Sequence, residues 1–189
     1  MNAESLIKER RSVRKFADQA VPDHLMHELF NRAAVSCDPQ MLQSMRLILA
    51  LQSESKHRLS RYMLDSFTAT RMGKLIPRSV KETMAKFFSE VPGLLVVVVD
   101  DHDSPQQKDM QYANACFFLQ NLQLLAWEKG IGMFWRSDEI LYNKPFFEQL
   151  GISDRERLAG ILPFGFIEKT PRPRKRTPAS KKWLCWPQI

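Results

Sequence analysis

A run of six apolar residues at positions 94–99, Leu-Leu-Val-Val-Val-Val, most constrains the fold of this 189-residue chain. Pro92 and Gly93 precede the run, and Asp100 and Asp101 follow it. A continuous β-branched segment between turn-forming residues is typical of a strand buried on both faces, because a half-exposed strand alternates apolar and polar residues. We therefore predict that residues 94–99 form the centre of a sheet flanked by helices.

Helical patterns occupy much of the chain before and after this strand. A first helix is predicted up to Arg10 with Asn2 as its N-cap, and a second from Pro22 to a break at Asp38-Pro39. A third helical region covers residues 53–89 and is interrupted near residues 73–77. A long helix at about residues 106–129 ends at Gly130 and is apolar almost all round, as expected for a helix buried in a core or an interface.

Further strands are predicted at residues 45–51, 133–136 and 159–166, with a short helix after Lys144-Pro145. Helices that come first, followed by strands that alternate with helices, suggest an α+β layer structure. With 44% hydrophobic residues, a chain of this length can bury one core. Residues 1–189 are therefore most simply a single domain.

The net charge of +7 comes entirely from the C-terminal segment. Residues 169–189 contain seven Lys or Arg and no acidic residue, so the 28 basic and 21 acidic residues of the chain leave 21 of each in positions 1–168. Prolines at 171, 173 and 178 prevent a continuous helix or a central strand. We predict an extended, basic, Pro-rich arm over residues 169–189, either solvated or lying against an anion or another subunit.

The cysteines and apolar segments indicate a reduced, cytoplasmic setting. Cys37, Cys116 and Cys185 are odd in number and widely spaced, which supports neither a disulfide framework nor a four-ligand zinc site. We expect no targeting segment, and the longest apolar run is far too short to span a bilayer. His24 and His27 lie on one helix with no third ligand in view, so no metal site is predicted.

Two short segments far apart in the chain carry the strongest functional signal. Residues 9–14, Glu-Arg-Arg-Ser-Val-Arg, put three guanidinium groups and a hydroxyl at a helix end, a dense set of donors for an anion. On residue type alone, a solvated basic helix end is the simpler interpretation. Residues 130–137, Gly-Ile-Gly-Met-Phe-Trp-Arg-Ser, follow the long helix. Together the two segments resemble the flavin-binding elements of the nitroreductase family, and most strongly those of its short single-domain branch.

The resemblance implies a nitroreductase-like fold with a central, mainly antiparallel sheet, assembled as an intertwined homodimer. It also implies an FMN-dependent oxidoreductase that passes electrons from NAD(P)H to a nitroaromatic, quinone or related acceptor. In such enzymes the flavin carries the chemistry, so no side chain is assigned as a catalytic acid or base. No membrane partner is implied.

Individual positions of this chain match the family's binding residues. The resemblance implies FMN contacts from Arg10, Arg11, Ser12, Arg14, Ser36, Gln40, Trp135, Arg136, Ser137, Arg172 and Arg174. Ser36 and Gln40 match residues that touch the partner subunit's flavin. The end of the long helix matches the face where a nicotinamide cofactor enters, at Leu125, Ala126, Trp127, Glu128, Lys129 and Gly130.

The chain lacks the Gln-Pro-Trp turn that the family commonly carries after its second helix. Ser36 and Gln40 can still form hydrogen bonds, although neither preserves the usual residue. Two alternatives therefore stay open. One is a flavin-binding protein with little turnover, and the other is a nucleic-acid or anionic-surface binder that uses the basic arm.

Overall fold

The structure, a computed structural model, describes residues 2–136, 142–173 and 175–183. Its helices are α1 (Ala3–Glu9), α2 (Asp23–Ala34), α3 (Pro39–Gln43), α4 (Ser53–Ala69), α5 (Arg71–Leu75), α6 (Arg78–Glu90), α7 (Pro105–Glu128) and α8 (Lys144–Gln149). Its strands are β1 (Met45–Ala50), β2 (Gly93–Asp100), β3 (Ile131–Met133) and β4 (Glu156–Phe166).

The four strands form one antiparallel sheet in the order β1-β2-β4-β3. β2 lies between β1 and β4, and its residues 93–99 are all buried. The predicted central strand, the antiparallel sheet and the α+β class are confirmed.

Helices cover both faces of this sheet. Leu95, Val97 and Val99 of β2 belong to a core shared with α2 and α7, whereas the alternate β2 residues pack with α4, α6 and α8. Successive side chains of a strand point to opposite faces, so a strand between two helical layers has no polar face. This explains the unbroken apolar run. Among the helices that the structure describes, none is long and apolar enough to cross a membrane.

The middle helical region differs from its prediction. Residues 71–75, expected to be part of an interruption, are helical, and the breaks fall at Thr70 and before α6. The Thr70 hydroxyl accepts a hydrogen bond from the Gly73 N–H at 3.0 Å and thereby caps a new helical turn. A Cβ on Gly73 would lie 1.9 Å from the Phe67 carbonyl oxygen, so this glycine marks a close approach within a helix.

The strand after α7 lies earlier than predicted. It covers Ile131–Met133, and Arg136 forms only an isolated bridge with Ile161. The free edge of β3 is occupied by the N-terminal segment, because Ser12 pairs with Met133 in parallel. The strand boundary thus depends on residues more than 100 positions away, which local patterning does not reveal.

Two other elements extend beyond their predictions. β4 begins at Glu156 instead of Ala159, because residues 156–158 still pair with the end of β2. Pro39 begins α3 as well as ending the preceding helical pattern, and the Asp38 carboxylate accepts a hydrogen bond from the Gln40 N–H at 2.9 Å.

The basic arm is not extended throughout. Residues 170–173 and 175–178 have no regular structure, and a short 3-10 helix, Ala179–Lys182, follows them. Cys37 and Cys116 are free thiols, and Cys185 lies outside the described residues. Within the described ranges, no three His, Cys, Asp or Glu residues are grouped so that they could hold a metal ion.

Candidate functional site

The N-terminal arginine segment runs beside β3. The Val13 N–H donates to the Met133 carbonyl at 3.1 Å, and the Val13 side chain is completely buried. A Cβ on Gly132 would lie 2.4 Å from a Val13 methyl group, so only glycine permits this approach. With Val13 turned inward, the neighbouring Ser12 and Arg14 are exposed to solvent.

The C-terminal arm leaves the sheet next to this segment. The Ala17 N–H donates to the Phe166 carbonyl at 2.9 Å, and the Ile167 N–H donates to the Gly130 carbonyl at 3.0 Å. These bonds fasten the end of β4 between the arginine segment and the end of α7. The two basic parts of the chain therefore face one another.

Together the arm and the segment enclose a cavity of about 710 Å³. Its lining consists of Arg10, Arg11, Ser12, Arg14, Lys15, Phe134, Lys169, Thr170, Pro171, Arg172 and Arg176. Seven of these residues are Lys or Arg and none is acidic. Within the described part of the chain, none of the seven forms an ion pair with a carboxylate. We call this space the cationic cavity.

A second cavity shows that such a lining is not general. It has a similar volume of about 700 Å³ and lies between the start of α7 and the start of β4. Four carboxylates, Asp101, Glu148, Asp154 and Glu156, balance three basic residues there. The cationic cavity differs by having charges of one sign, and such charges repel one another unless an anion lies between them.

Arg10 lies at the least exposed side of the cationic cavity. Its guanidinium donates to the Gln123 side-chain oxygen at 3.5 Å, and Gln123 is 5% exposed. Gln123 in turn donates to the Leu119 carbonyl of α7 at 3.1 Å. Burial, followed by repulsion from Arg176 and Arg11, lowers the pKa of Arg10. Both causes disfavour the cationic form, and a bound anion would relieve them.

Arg11 and Arg14 have different surroundings. The Arg11 guanidinium donates to the carbonyls of Lys8 and Arg10, so it also satisfies the end of α1. The Arg14 guanidinium lies over the Phe134 ring, 4.1 Å from the ring centroid, in a cation–π contact. The wall near Arg14 is therefore an aromatic surface beside a hydrogen-bond donor.

Trp135 and Arg136 lie outside the lining of the cationic cavity. The Trp135 indole packs against Gly160, where a Cβ would lie 2.3 Å from Nε1, and this nitrogen has no hydrogen-bond partner among the described residues. The Arg136 guanidinium lies over the Phe88 ring on the α6 side of the sheet, 4.9 Å from its centroid. Ser137 lies outside the described residues.

Comparison with known proteins identifies the family. The model of the nitroreductase family matches residues 7–166. The chain belongs to the nitroreductase family. The predicted membership is thereby confirmed.

Individual relatives agree with this assignment. The chain is 34% identical over 176 residues to "Putative NAD(P)H nitroreductase YfhC" of Bacillus subtilis (strain 168), covering 92% of this chain and 88% of that protein. A nitroreductase-like family protein from Bacillus cereus superposes with a TM-score of 0.89 at 33% identity, covering 99% of this chain and 97% of the other. The FMN- and NADPH-dependent nitroreductase NfnB of Sphigopyxis sp. strain HMH, 18% identical, shares the fold with a TM-score of 0.78 over 100% of both chains.

In this nitroreductase-family chain, Ser36 and Gln40 lie outside the cationic cavity of their own subunit. The Ser36 hydroxyl donates to the Ala33 carbonyl at 3.2 Å and accepts a hydrogen bond from Asn121 of α7. Gln40 lies at the start of α3, where its N–H is bonded to Asp38. A single chain therefore does not bring these two residues to Arg10.

The end of α7 has buried and exposed parts. Ala126 is completely buried in the core, Leu125 and Trp127 are partly buried, and Glu128, Lys129 and Gly130 are exposed. Gly130 has φ +73°, the left-handed conformation expected of a residue that ends a helix. None of these residues lines the cationic cavity.

The structure adds residues that sequence reasoning missed. Of the predicted arm residues, Arg172 lines the cavity and Arg174 lies outside the described residues. The cavity also includes Lys15, Lys169 and Arg176, which were counted only as part of the overall charge. Adjacency to the arginine segment could have identified Lys15. No local signal identifies Gln123, because its contact with Arg10 joins residues 113 positions apart.

Proposed function

We propose that this protein is an FMN-dependent oxidoreductase that passes electrons from NAD(P)H to a nitroaromatic, quinone or related acceptor. The observation that carries the proposal is the cationic cavity, in which the two basic ends of the chain converge without a balancing carboxylate. Membership of the nitroreductase family and the name of YfhC support the same activity.

The donors of the cavity fit the phosphate end of FMN. Arg10, Ser12 and Arg172 supply guanidinium and hydroxyl donors, and charge-assisted bonds from guanidinium groups suit phosphate oxygens. Gln123 holds Arg10 from the core side, which limits the directions that its guanidinium can take. A preorganised donor loses less conformational freedom when the anion binds.

The wall at Arg14 and Phe134 fits a flat, polar-edged ring system. The ring of Phe134 offers an apolar face, and the guanidinium above it can donate to ring oxygens and nitrogens. When bound, FMN supplies the redox chemistry, accepting hydride from reduced nicotinamide and passing electrons to the acceptor. The side chains bind and orient the two reactants, so we assign none of them as an acid or base.

The proposal includes a homodimer in which Ser36 and Gln40 reach the partner's flavin. Trp135, Arg136 and Ser137 would support the flavin from the strand end, and residues 125–130 would form the nicotinamide entrance. Both assignments come from the family resemblance. They are compatible with the exposure of residues 128–130.

Replacing the phosphate donors tests the proposal. Arg10→Ala with Ser12→Ala removes two donors, and a hydrogen bond to a charged group contributes about 1.5–3 kcal/mol. We expect FMN affinity to fall more than tenfold when the apoprotein is titrated by flavin fluorescence. The matched control, Arg78→Ala with Ser79→Ala on the exposed start of α6, should retain wild-type affinity. Equal affinities for the two double variants would contradict the assignment.

A flavin-binding protein with little turnover remains a second candidate. The Ser36 hydroxyl is already bonded to Ala33 and Asn121, which leaves it less capacity for a flavin. Oxidation of NADH and NADPH by flavin-loaded protein, with a nitroaromatic as acceptor, separates the two candidates. Stoichiometric FMN with no consumption of either coenzyme would favour the second.

A further inference from the structure

The cationic cavity holds more positive charge than one flavin needs. A phosphate monoester such as that of FMN carries about two negative charges at neutral pH. Seven Lys or Arg residues line the cavity, so about five positive charges remain unbalanced after FMN binds. Arg10 is already close enough to Arg11 and Arg176 for mutual repulsion. The surplus favours a second polyanionic ligand in the same space.

The cations also differ in exposure. Arg10 is partly buried and bonded to the core residue Gln123, whereas Lys15 and Arg176 are exposed at the rim. A tightly held cofactor gains most from the partly buried donors, because their interactions are less screened by water. A reductant that enters and leaves in every cycle meets the rim first. The rim cations are therefore the ones available to it.

We infer that the rim residues Lys15 and Arg176 bind the ribose 2′-phosphate of NADPH and so make this site select NADPH over NADH. This inference rests on the proposed FMN-dependent function. FMN and the pyrophosphate of NADH together bring about four negative charges, and the 2′-phosphate raises the total to about six. Six approaches the seven cations of the lining more closely than four does.

The shape of the site favours a dinucleotide over a nucleic acid. The cations converge on a concave space of about 710 Å³, a volume typical of small-molecule sites. A nucleic acid is bound by cations spread along its backbone, and its binding weakens steeply with salt for every length of chain. The arm instead turns its described basic residues Lys169, Arg172 and Arg176 toward the arginine segment.

The test compares two double variants of the FMN-loaded full-length protein. Lys15→Gln with Arg176→Gln removes two rim charges, and Arg78→Gln with Lys86→Gln removes the same charge from the exposed face of α6. We expect the wild type and the α6 variant to prefer NADPH in kcat/KM. The rim variant should lose about tenfold of that preference. Calorimetry should give the same loss for 2′,5′-ADP relative to 5′-AMP, and this readout requires no turnover.

Each remaining outcome overturns the inference. If the wild type binds 5′-AMP as tightly as 2′,5′-ADP, or if the rim variant keeps the wild-type preference, these residues do not read the 2′-phosphate. If the rim variant instead loses FMN affinity by the same factor, Lys15 and Arg176 serve the flavin phosphate. A wild type that binds no FMN contradicts the proposed function itself. The nucleotide calorimetry still decides the rim in that case.

Discussion

Gly132 determines how the arginine segment meets the sheet. The missing side chain lets Val13 pack directly on β3, and this contact fixes which neighbours of Val13 point outward. Ser12 and Arg14, on either side of it, thereby face the cavity. A single atom added on β3 would act on the binding site through Val13.

Gly132→Ala tests this connection. The new Cβ would overlap the Val13 methyl groups, and overpacking of this kind costs about 1–3 kcal/mol. We expect lower thermal stability and an FMN affinity reduced about tenfold, because the segment must move away from β3. Flavin titration and a melting curve measure the two effects.

Gly151→Ala is the control for the backbone cost alone. Gly151 has φ +62° and open space around its Cβ position, so its substitution costs about 1 kcal/mol in strain without displacing a neighbour. It should lower the melting temperature and leave FMN affinity at the wild-type value. The same loss of FMN affinity in both variants would contradict a specific role for the Val13 contact.

Sequence reasoning identified the charged residues better than their neighbours. The cap at Gly130 was predictable, because glycine after a helical pattern supplies the left-handed conformation. The role of Gly132 was not predictable, because it depends on Val13, which arrives from the other end of the chain. Arg136 illustrates the same limit, since the pairing of its backbone with Ile161 decides that its side chain reaches Phe88.

At the scale of elements, an ion pair spans the central strand. Arg46 of β1 donates two hydrogen bonds, each of 3.0 Å, to the Glu156 carboxylate of β4, although β2 lies between these strands. Burial alone would raise the pKa of Glu156. The Ser153 N–H and the Arg46 guanidinium outweigh that effect and hold its pKa below the ordinary value.

Arg46→Gln should make stability depend less on pH. A carboxylate whose pKa is lowered by folding stabilises the native state above its unfolded pKa, and this contribution is lost as pH falls through the folded pKa. The wild type should exceed the variant by about 0.5–1 kcal/mol in free energy of unfolding at pH 7, and the difference should shrink as pH falls below about 4.3. Urea denaturation at several pH values measures it.

Arg155→Gln provides the control of equal charge. Arg155 is exposed and lies next to Glu156 in sequence, so its replacement changes the net charge without removing the two bonds of Arg46. Its stability difference from the wild type should stay nearly constant with pH. A difference for Arg46→Gln that is equally constant would show that the pair does not set the pKa of Glu156.

The elements of the sheet layer were predictable because each has its own periodicity. β2 and α7 carry long apolar patterns, and both lie within a few residues of their predicted bounds. The helices over residues 53–90 were harder, because their divisions depend on the Thr70 cap and on the contact of Gly73 with Phe67. These features arise only when the chain is folded.

At the scale of the whole molecule, α7 has an outer face that the described chain leaves uncovered. Phe117 is 64% exposed and Met110 is 54% exposed, and Val35 at the end of α2 is 85% exposed. Grouped apolar exposure of this kind is typical of subunit interfaces. Asn121 of the same helix bonds to Ser36, one of the residues proposed to reach the partner's flavin.

We expect a dimer by light scattering, with α7 in the interface. Phe117→Glu puts a charge into the proposed contact and should shift the protein toward monomer, with weaker FMN binding because Ser36 and Gln40 of the partner are lost. Val80→Glu, at a 43% exposed apolar residue of α6, should leave the dimer intact. A Phe117→Glu protein that stays dimeric would exclude this face as the interface.

The meeting of the two ends of the chain has a consequence for biosynthesis. Arg10 and Lys169 line one cavity but are separated by 159 positions, 169 minus 10. A ribosome releases the arginine segment early and the arm only near the end of translation. A ligand that needs both cannot be captured by the growing polypeptide. Flavin loading would therefore follow synthesis, and the share of protein carrying the cofactor would be set by the supply of free flavin in the cell.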